Sequence, residues 1–461
     1  MKDIYSSASY KKMPIPLQNV AVSILGAGYA LERHGFAFAR RRREITSFEV
    51  LPLARIKAFQ LNKLYNLIEH CYSHVRYYHE KFDKIGFKPA DLKCLEDLIK
   101  IPMLDKETIR QHQQDIISNH KNRAFLIKGH TSGTTGRSLE LLMDNSLIQN
   151  EFAFADRQYR WAGGSAHGKK AILRDKIIVP AGQTEPPFWR YDAFSKHLIF
   201  SIYHISEENA SAYFEKLQSF SPELIYAYPS ALFAIGQILQ RKGIRLNLPA
   251  LKGIVTSSET LFNKCRTSIE HVFGAKIFDW YGLFERNIFI GTCEFGTYHV
   301  FPDYGVTEYL PAGINENGEK IFELVGTGFI NKVMPLIRYR TGDYVTLYEQ
   351  FHCSCGRSFP TIKTIVGRVN DVIITPDGRK IGMLDIAFEE PEIMCGQIIQ
   401  DSLDHLTVLV VPVKGFSDQV KDKIVKKIRD RIEPSMAIEF KCVHEIPRTS
   451  TGKYRIMVSK L

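Results

Sequence analysis

Residues 128–142 read KGHTSGTTGRSLELL, and the hydroxyls and glycines gathered in Thr131–Arg137 have the composition of a loop that holds phosphate. Gly133 and Gly136 let backbone N–H groups approach phosphate oxygens closely, while Ser132, Thr134 and Thr135 add hydroxyl donors. A Walker loop would place lysine directly after the second glycine. Here Arg137 and Ser138 follow Gly136, so a polar surface turn stays open as the alternative reading. Further along, GTCEFGTYHVF supplies Cys293 and His299, and FHCSCGR supplies Cys353 and Cys355. Two thiols closely spaced, plus a thiol and an imidazole six residues apart, suit a closed tetrahedral zinc site. His352 competes as a ligand, and ordinary buried thiols or a disulfide are the other readings. With four protein ligands no position is left for a catalytic water, so such a metal would be structural, pinning the 293–355 excursion.

The elements that must position these groups are legible in outline. Residues 50–120 carry apolar positions at helical spacing, and DKETIRQHQQDII opens on an aspartate cap. From residue 170 short β-rich runs (KIIVP, HLIFSIYHI, LIYAY, LKGIVTS, KIFDWYG) alternate with helical stretches near 206–220, 230–242 and 259–273. That alternation predicts an α/β region with parallel strands. Residues 297–350 turn to strands and turns, and the last hundred form a small α+β unit. The boundary is set near Gly367, giving units 1–366, with a helical opening to about 125, and 367–461. SILGAGYALE (23–32) begins like a dinucleotide fingerprint, but Leu31 replaces the third glycine, so a turn or small-residue helix contact is expected instead.

At 461 residues, with 44% apolar and 24% charged residues, the chain has the composition of a globular protein of two or three domains. The formal charge of +11 is spread, except for RRRR at 40–43, which reads as a solvated helix face or a contact for anionic lipid or nucleic acid. The charge also suits a polyanionic substrate such as ATP. No segment has the length of apolar sequence that a membrane-spanning helix needs, and none fits a secretory signal. The eight cysteines are irregularly spaced, which argues against a disulfide scaffold, so a cytoplasmic protein is expected.

Four stretches follow TSGTTG in a fixed order: WYGLFER (280–286), YRTGD (339–343), GRVNDVI (367–373) and IPRTSTGKYR (446–455). Together the five resemble the signature of the adenylate-forming (ANL) superfamily of acyl-CoA synthetases and related ligases. FSIYHIS (200–206), AYPSAL (227–232) and the helical opening are similar to the phenylacetate–CoA ligase branch, and within it to capsule-biosynthesis proteins of the CapK type. The resemblance spans essentially the whole chain. It implies a large N-terminal α/β domain and a small mobile C-terminal α+β domain. It also implies an enzyme that converts a carboxylic acid and ATP to acyl-AMP and pyrophosphate, then passes the acyl group to CoA.

On this resemblance Lys453 is the catalytic cation supplied from the C-terminal domain, Asp343 accepts the ribose hydroxyls, and Tyr281 and Gly282 border the adenine. Glu285 holds Mg²⁺, Arg368 contacts phosphate or ribose, and Thr131–Arg137 cradles phosphate. An exposed tail lysine and a turn aspartate are the plain alternatives for Lys453 and Asp343. The acid is expected near Tyr228, Ser257, Ser258 and the Tyr203–His204 segment, residues that core packing explains equally well. The chain departs from the family pattern at Phe284, where a hydroxyl residue is usual, at Asn370 in the hinge, and at Ser138–Leu139 after the loop. Two rival readings follow: an acceptor amine or hydroxyl in place of the thiol, as in building a polysaccharide, or a nucleotide-binding homologue without turnover. No nucleic acid is expected as a partner, and a homodimer is admitted.

Overall fold

The structure is a computed structural model that describes residues 5, 7–120, 126–131, 139–174, 176–180, 182–315, 318–368, 373–376, 380–381, 387–388, 390, 392–430, 432, 435–447 and 455–461. The chain opens with helices α1 (Ala8–Lys12), α2 (Ile15–Arg33), α3 (Phe36–Phe48), α4 (Leu53–His74), α5 (Arg76–Lys84) and α6 (Lys106–Gln111). Hairpin β1 (Ile127–His130) and β2 (Glu140–Met143) leads into α7 (Asn145–Trp161), whose first turn is capped by Asp144 accepting the Leu147 N–H at 2.8 Å. Next come β3 (Lys170–Arg174), β4 (Trp189–Asp192), β5 (His197–Ser201), α8 (Ala210–Phe220), β6 (Leu224–Ala227) and α9 (Pro229–Arg241). They are followed by β7 (Gly253–Ser257), α10 (Asn263–Phe273), β8 (Ile277–Gly282), β9 (Phe289–Thr292) and β10 (Tyr298–Val300). The excursion expected from the sequence contains β11 (Gly305–Ile314), β12 (Lys320–Gly328) and β13 (Tyr339–Thr346), and is closed by β14 (Thr361–Ile362) and β15 (Thr364–Arg368). The remainder holds β16 (Ile373–Ile374), β17 (Lys380–Ile381), β18 (Ile393–Ser402), β19 (His405–Pro412), α11 (Asp418–Arg429), β20 (Ala437–Cys442) and β21 (Met457–Ser459).

Nine strands form the main sheet in the order β14-β10-β9-β8-β7-β6-β3-β5-β4. From β5 to β8 the pairing is parallel throughout, so the C-terminal ends of β5, β3, β6, β7 and β8 open on one edge. Both faces of these strands are covered, and β7 (GIVTS) is buried at every position, as a strand between two layers must be. A second sheet, β11-β12-β13-β15, is antiparallel. Its last strand stays paired to β13 as far as Arg368, opposite Asp343, so the ladder runs past the 366/367 division drawn from sequence. Beyond it, Ile373, Ile398, Val408, Ile424 and Met457 belong to a hydrophobic core drawn only from residues 373 onward. That core lies between the β20-β19-β18-β21 sheet and α11.

Two local readings change. KIIVP (176–180) is not a strand; the ladder uses KAILR at 170–174 instead. Ile178 and Val179 pack beneath the N-terminal helices with Tyr10 and Val22, and the Ile178 carbonyl accepts the Tyr10 hydroxyl at 2.7 Å. The arginine run is not simply a solvated face. Arg41 donates to Asn150 at 2.9 Å and Arg42 pairs with the buried Asp156 at 2.8 Å, fixing α3 on α7, while Arg40 and Arg43 remain exposed. The expectation for Gly26 fits its place: it is buried in mid-helix, and a Cβ there would lie 2.0 Å from Asp192 of β4.

At the C-terminal cap of α2, burial and then the neighbouring His167, Arg33 and Lys170 lower the His34 imidazole to about 4. The unfolded imidazole binds a proton below about 6.5 and the folded one does not until about 4, so stability is lost as pH falls through that window. Urea unfolding at pH 7 and pH 5 is expected to show a His34 share of about 1 kcal/mol, the full shift being discounted for partial exposure. His34→Phe removes that share; an unchanged pH slope in the variant contradicts the assignment.

Candidate active site

The parallel strands deliver polar side chains to one edge of the sheet. Arg174 ends β3, Ser201 ends β5, Tyr228 follows β6, Ser257 ends β7 and Gly282 ends β8. In open α/β sheets this edge is where ligands bind. A cleft of about 1910 Å³ lies there, walled on the N-terminal side by Thr131, Ser258, Tyr281, Gly282 and Asp343. Its other wall includes Phe388, His444, Pro447 and Arg455 from the C-terminal unit.

Tyr281 donates its hydroxyl to Asp343 at 2.6 Å, joining β8 of the main sheet to β13 of the second. Asp343 is buried at the cleft wall, and its backbone N–H donates to the Thr341 hydroxyl at 3.0 Å, which fixes the main chain beneath the carboxylate. Glu285 is also buried. Its Oε1 accepts the Tyr339 hydroxyl at 2.9 Å and lies 3.9 Å from the Lys106 ammonium of α6. No hydrogen-bond donor reaches Oε2 among the described residues, which leaves one oxygen for a cation such as Mg²⁺. Thr131 closes the neck of the hydroxyl-rich loop: its N–H reaches Leu139 at 3.0 Å and its Oγ1 accepts the Leu139 N–H at 2.9 Å. Ser132, Gly133, Thr134, Thr135, Gly136, Arg137, Asn370 and Lys453, and the side chain of Arg368, lie outside the described residues. Pro447 and Arg455, which bracket Lys453 in sequence, both line the cleft.

The Phe284 departure has a packing counterpart. A Cβ on Gly129 of β1 would fall 2.3 Å from the Phe284 ring, and the ring packs with Leu139, Leu141 and Tyr339. An apolar contact to the base of the hydroxyl-rich hairpin therefore stands at the position of this departure.

The residues assigned to the acid separate into two groups. Ser258 lines the cleft in a left-handed conformation (φ 71°). Ser257 is buried below it, sharing its hydroxyl with Arg174 at 2.7 Å and Tyr226 at 3.2 Å. Tyr228 is buried with its ring under the Arg174 guanidinium, and its neighbours Pro229 and Ser230 face the cleft instead. The His204 ring stacks on Phe188 and bonds to Ser201 at 2.7 Å, while Tyr203 and Ile205 on either side line the cleft.

Three polar groups went unrecognised in the sequence. Arg174 lies over Tyr226 and Tyr228, 4.4 Å from each ring, and forks onto Ser257 and Ser258. Its only sequence signal is its place as the last residue of an apolar run. Asp279 of β8, whose pKa burial raises, accepts Thr256 of β7 and Tyr298 of β10, each at 2.6 Å. Lys106 gave no signal, since only folding brings it to Glu285.

The four sulfur and nitrogen donors predicted from spacing come together. Cys293, His299, Cys353 and Cys355 place their ligand atoms within 4.8 Å of one another. Cys293 and Cys353 sulfurs are 3.5 Å apart, and Cys355 sulfur is 3.3 Å from His299 Nε2. Tetrahedral zinc with ordinary bond lengths needs roughly 3.8 Å between sulfurs and roughly 3.5 Å from sulfur to nitrogen, so the set fits. The cysteines are unbonded, and His352 is exposed outside the cluster. Burial lowers His299 to about 4, which keeps it neutral as a ligand must be. Burial pushes the Cys293 thiol up to about 12. Burial acts the same way on Cys353, but hydrogen bonds from Thr297, Cys355 and Cys293 outweigh it and bring that thiol down.

A family model described as the CapK C-terminal domain matches residues 373–460. The chain is 28% identical to Protein CapK of Staphylococcus aureus over 466 residues, covering 98% of this chain and 99% of the relative. It is 23% identical to a phenylacetate-coenzyme A ligase of Thermus thermophilus, covering 88% and 97%. Among solved structures, 2-hydroxyisobutyryl-CoA ligase in the postadenylation state, in complex with R3-HIB-AMP, superposes with a TM-score of 0.67 at 18% identity. That match covers 89% of this chain and 91% of the other, and it gives the chain the adenylate-forming fold. Among the described residues no helix is long and apolar enough to cross a membrane.

Purified protein is expected to carry one zinc per chain by elemental analysis. Cys353→Ser/Cys355→Ser is expected to lose it and to melt more than about 5 °C lower. Stoichiometric zinc retained in that variant would show that other residues hold it.

Proposed function

We propose that this chain, a CapK-like member of the phenylacetate–CoA ligase branch of the adenylate-forming enzymes, activates a carboxylic acid with ATP and passes the acyl group to a thiol, that of CoA. The observation that carries the reading is the single cleft faced by Tyr281, Asp343, Thr131 and Ser258 on one side and by residues bracketing Lys453 on the other. In the first half-reaction a carboxylate oxygen attacks the α-phosphorus, the bond to the β-phosphate oxygen breaks, and pyrophosphate leaves. Two anions must approach each other, so catalysis consists of placing them and offsetting the charge that builds on the α-phosphate.

Asp343 is suited to both ribose hydroxyls, since a carboxylate offers two acceptor oxygens with several lone pairs, and this one is oriented by the Tyr281 hydroxyl on a main chain anchored to Thr341. Glu285, anchored through one oxygen by Tyr339 and Lys106, would hold Mg²⁺, which supplies charge neutralisation for the phosphates. Lys453 supplies the cation that the phosphate loop lacks, from the other unit. The 373–460 unit has its own core, which suits rotation about the 367–371 region: one orientation presents Lys453, the next admits the acceptor. In the second half-reaction the acceptor sulfur attacks the acyl carbonyl and AMP leaves. Phe284 costs a hydroxyl donor near the α-phosphate, worth roughly 100-fold by comparison with single oxyanion donors, so a modest turnover is expected. A zinc ion held by Cys293, His299, Cys353 and Cys355 would have a structural role, tying the 353–355 loop to β9 and β10.

Pyrophosphate release measured over aryl, fatty, amino and sugar acids tests the reading. At least one acid is expected to give ATP-dependent release, and Lys453→Ala to lower it by more than about 100-fold. Equal rates in the variant would remove Lys453 from the chemistry, and no release with any acid would favour a nucleotide-binding role without turnover. Consumption of the acyl-AMP by CoA, rather than by amines or hydroxyl compounds, is the expected second step; the reverse preference assigns the other acceptor.

A further inference from the structure

α2 presents an outer face with no charge on it. Leu17, Val20, Ile24 and Leu31 fall on one side of this helix at 54%, 54%, 67% and 77% exposure, with only Ala27 and Gly28 between them. Soluble helices normally cover such an arc with charged residues, because each exposed leucine-sized side chain is better removed from water. The inner face of α2 is already used, against β4 and α7, so the outer arc is no unfinished core contact. Phe36, 84% exposed, continues the apolar surface into the first turn of α3.

What surrounds the arc is basic. Arg40 and Arg43 lie four and seven residues after Phe36, on the same side of α3, and both are exposed. Lys11 and Lys12 are exposed just before α2. Two carboxylates border it among the described residues: exposed Glu44, shared by Arg40 and Arg41, and half-buried Glu32 beside Leu31. A pocket of about 490 Å³ at the foot of α3 adds Lys63 and Lys332 to Arg40 and Arg41, with Asp144 and Asp303 also in its lining. Burial and then the facing charges of Arg41, Lys332 and Arg40 lower Lys63, opposed by Glu44.

We propose that the outer face of α2 and the start of α3 dock the protein on an anionic lipid bilayer. The apolar ridge and Phe36 enter the boundary between headgroups and acyl chains, and Arg40 and Arg43 meet headgroup phosphates. Charge decides between lipid and a second copy of the chain. A two-fold interface sets the same patch against itself, so these basic residues would face their own copies in a protein already at +11. An anionic bilayer neutralises them instead. Among the described residues no helix is long and apolar enough to cross a membrane, and the proposed association, held partly by charge, is peripheral and weakens with salt.

The test is co-flotation of the full chain with vesicles of phosphatidylcholine alone or mixed with phosphatidylglycerol. Binding is expected only to the anionic mixture and to fall with salt. Leu31→Glu/Phe36→Glu and Arg40→Glu/Arg43→Glu are each expected to weaken it by at least about tenfold. Both pairs are exposed, so unchanged melting curves should accompany the loss. Phe36→Trp gives a second readout, a blue shift of its fluorescence on adding anionic vesicles. Failure of the wild type to float at low salt, or flotation untouched by both double variants, would overturn the proposal. A dimer in sedimentation that Leu31→Glu/Phe36→Glu dissociates, without lipid binding, would overturn it in favour of a second copy.

Discussion

The end of the parallel sheet has to meet the antiparallel sheet for this cleft to exist, and the Tyr281–Asp343 hydrogen bond is where they join. At 2.6 Å it ties the end of the parallel sheet to the middle of the antiparallel one, with a buried carboxylate as acceptor. A charged acceptor makes such a bond stronger than a neutral one, and burial makes it costly to leave unmade. Below it, Asp279 cross-links β7, β8 and β10, so the strand ends that carry Ser257 and Tyr281 cannot slide past each other without breaking buried hydrogen bonds.

A second constraint holds the excursion against the rest of the domain. Arg157 of α7 is fully buried and grips Asp303 with both terminal nitrogens, at 2.9 and 2.6 Å, while its Nε reaches Glu49 at 3.1 Å. The guanidinium also lies 4.5 Å over the Phe301 ring. A cation without water is tolerated there only because every side of it is met by an anion or an aromatic face. With the Cys/His cluster at the far end of the same excursion, β11–β13 are anchored at both ends, and Asp343 inherits its position from that anchoring.

Chemistry that is dense in the sequence was readable there. Cys293, His299, Cys353 and Cys355 announced themselves by residue type, and the structure gathers them; the alternation from residue 170 gave the parallel sheet because strands buried on both faces leave apolar runs. Partnerships made only by topology were not readable. Arg174 meets Ser257 because β6 alone separates β3 from β7, and Lys106 meets Glu285 because Leu104 bridges to Tyr339 and brings the start of α6 to β13; neither fact has a local signature. KIIVP misled because a short apolar run fits a ladder or a core equally well, and here the N-terminal helices took it. Tyr228 and His204 show the same ambiguity from the other side, being aromatic residues next to the cleft whose rings serve packing.

Acid activation by this route requires one nucleotide across the cleft, with its ribose on Asp343 and its phosphate within reach of Lys453. The most direct measurement is an experimental structure with a non-hydrolysable acyl-adenylate analogue. It should show both ribose hydroxyls on the Asp343 carboxylate and the Lys453 ammonium in hydrogen-bonding contact with the analogue at the acyl–phosphate junction. Ribose bound elsewhere, or a lysine unable to reach that junction in any arrangement of the two units, would contradict it.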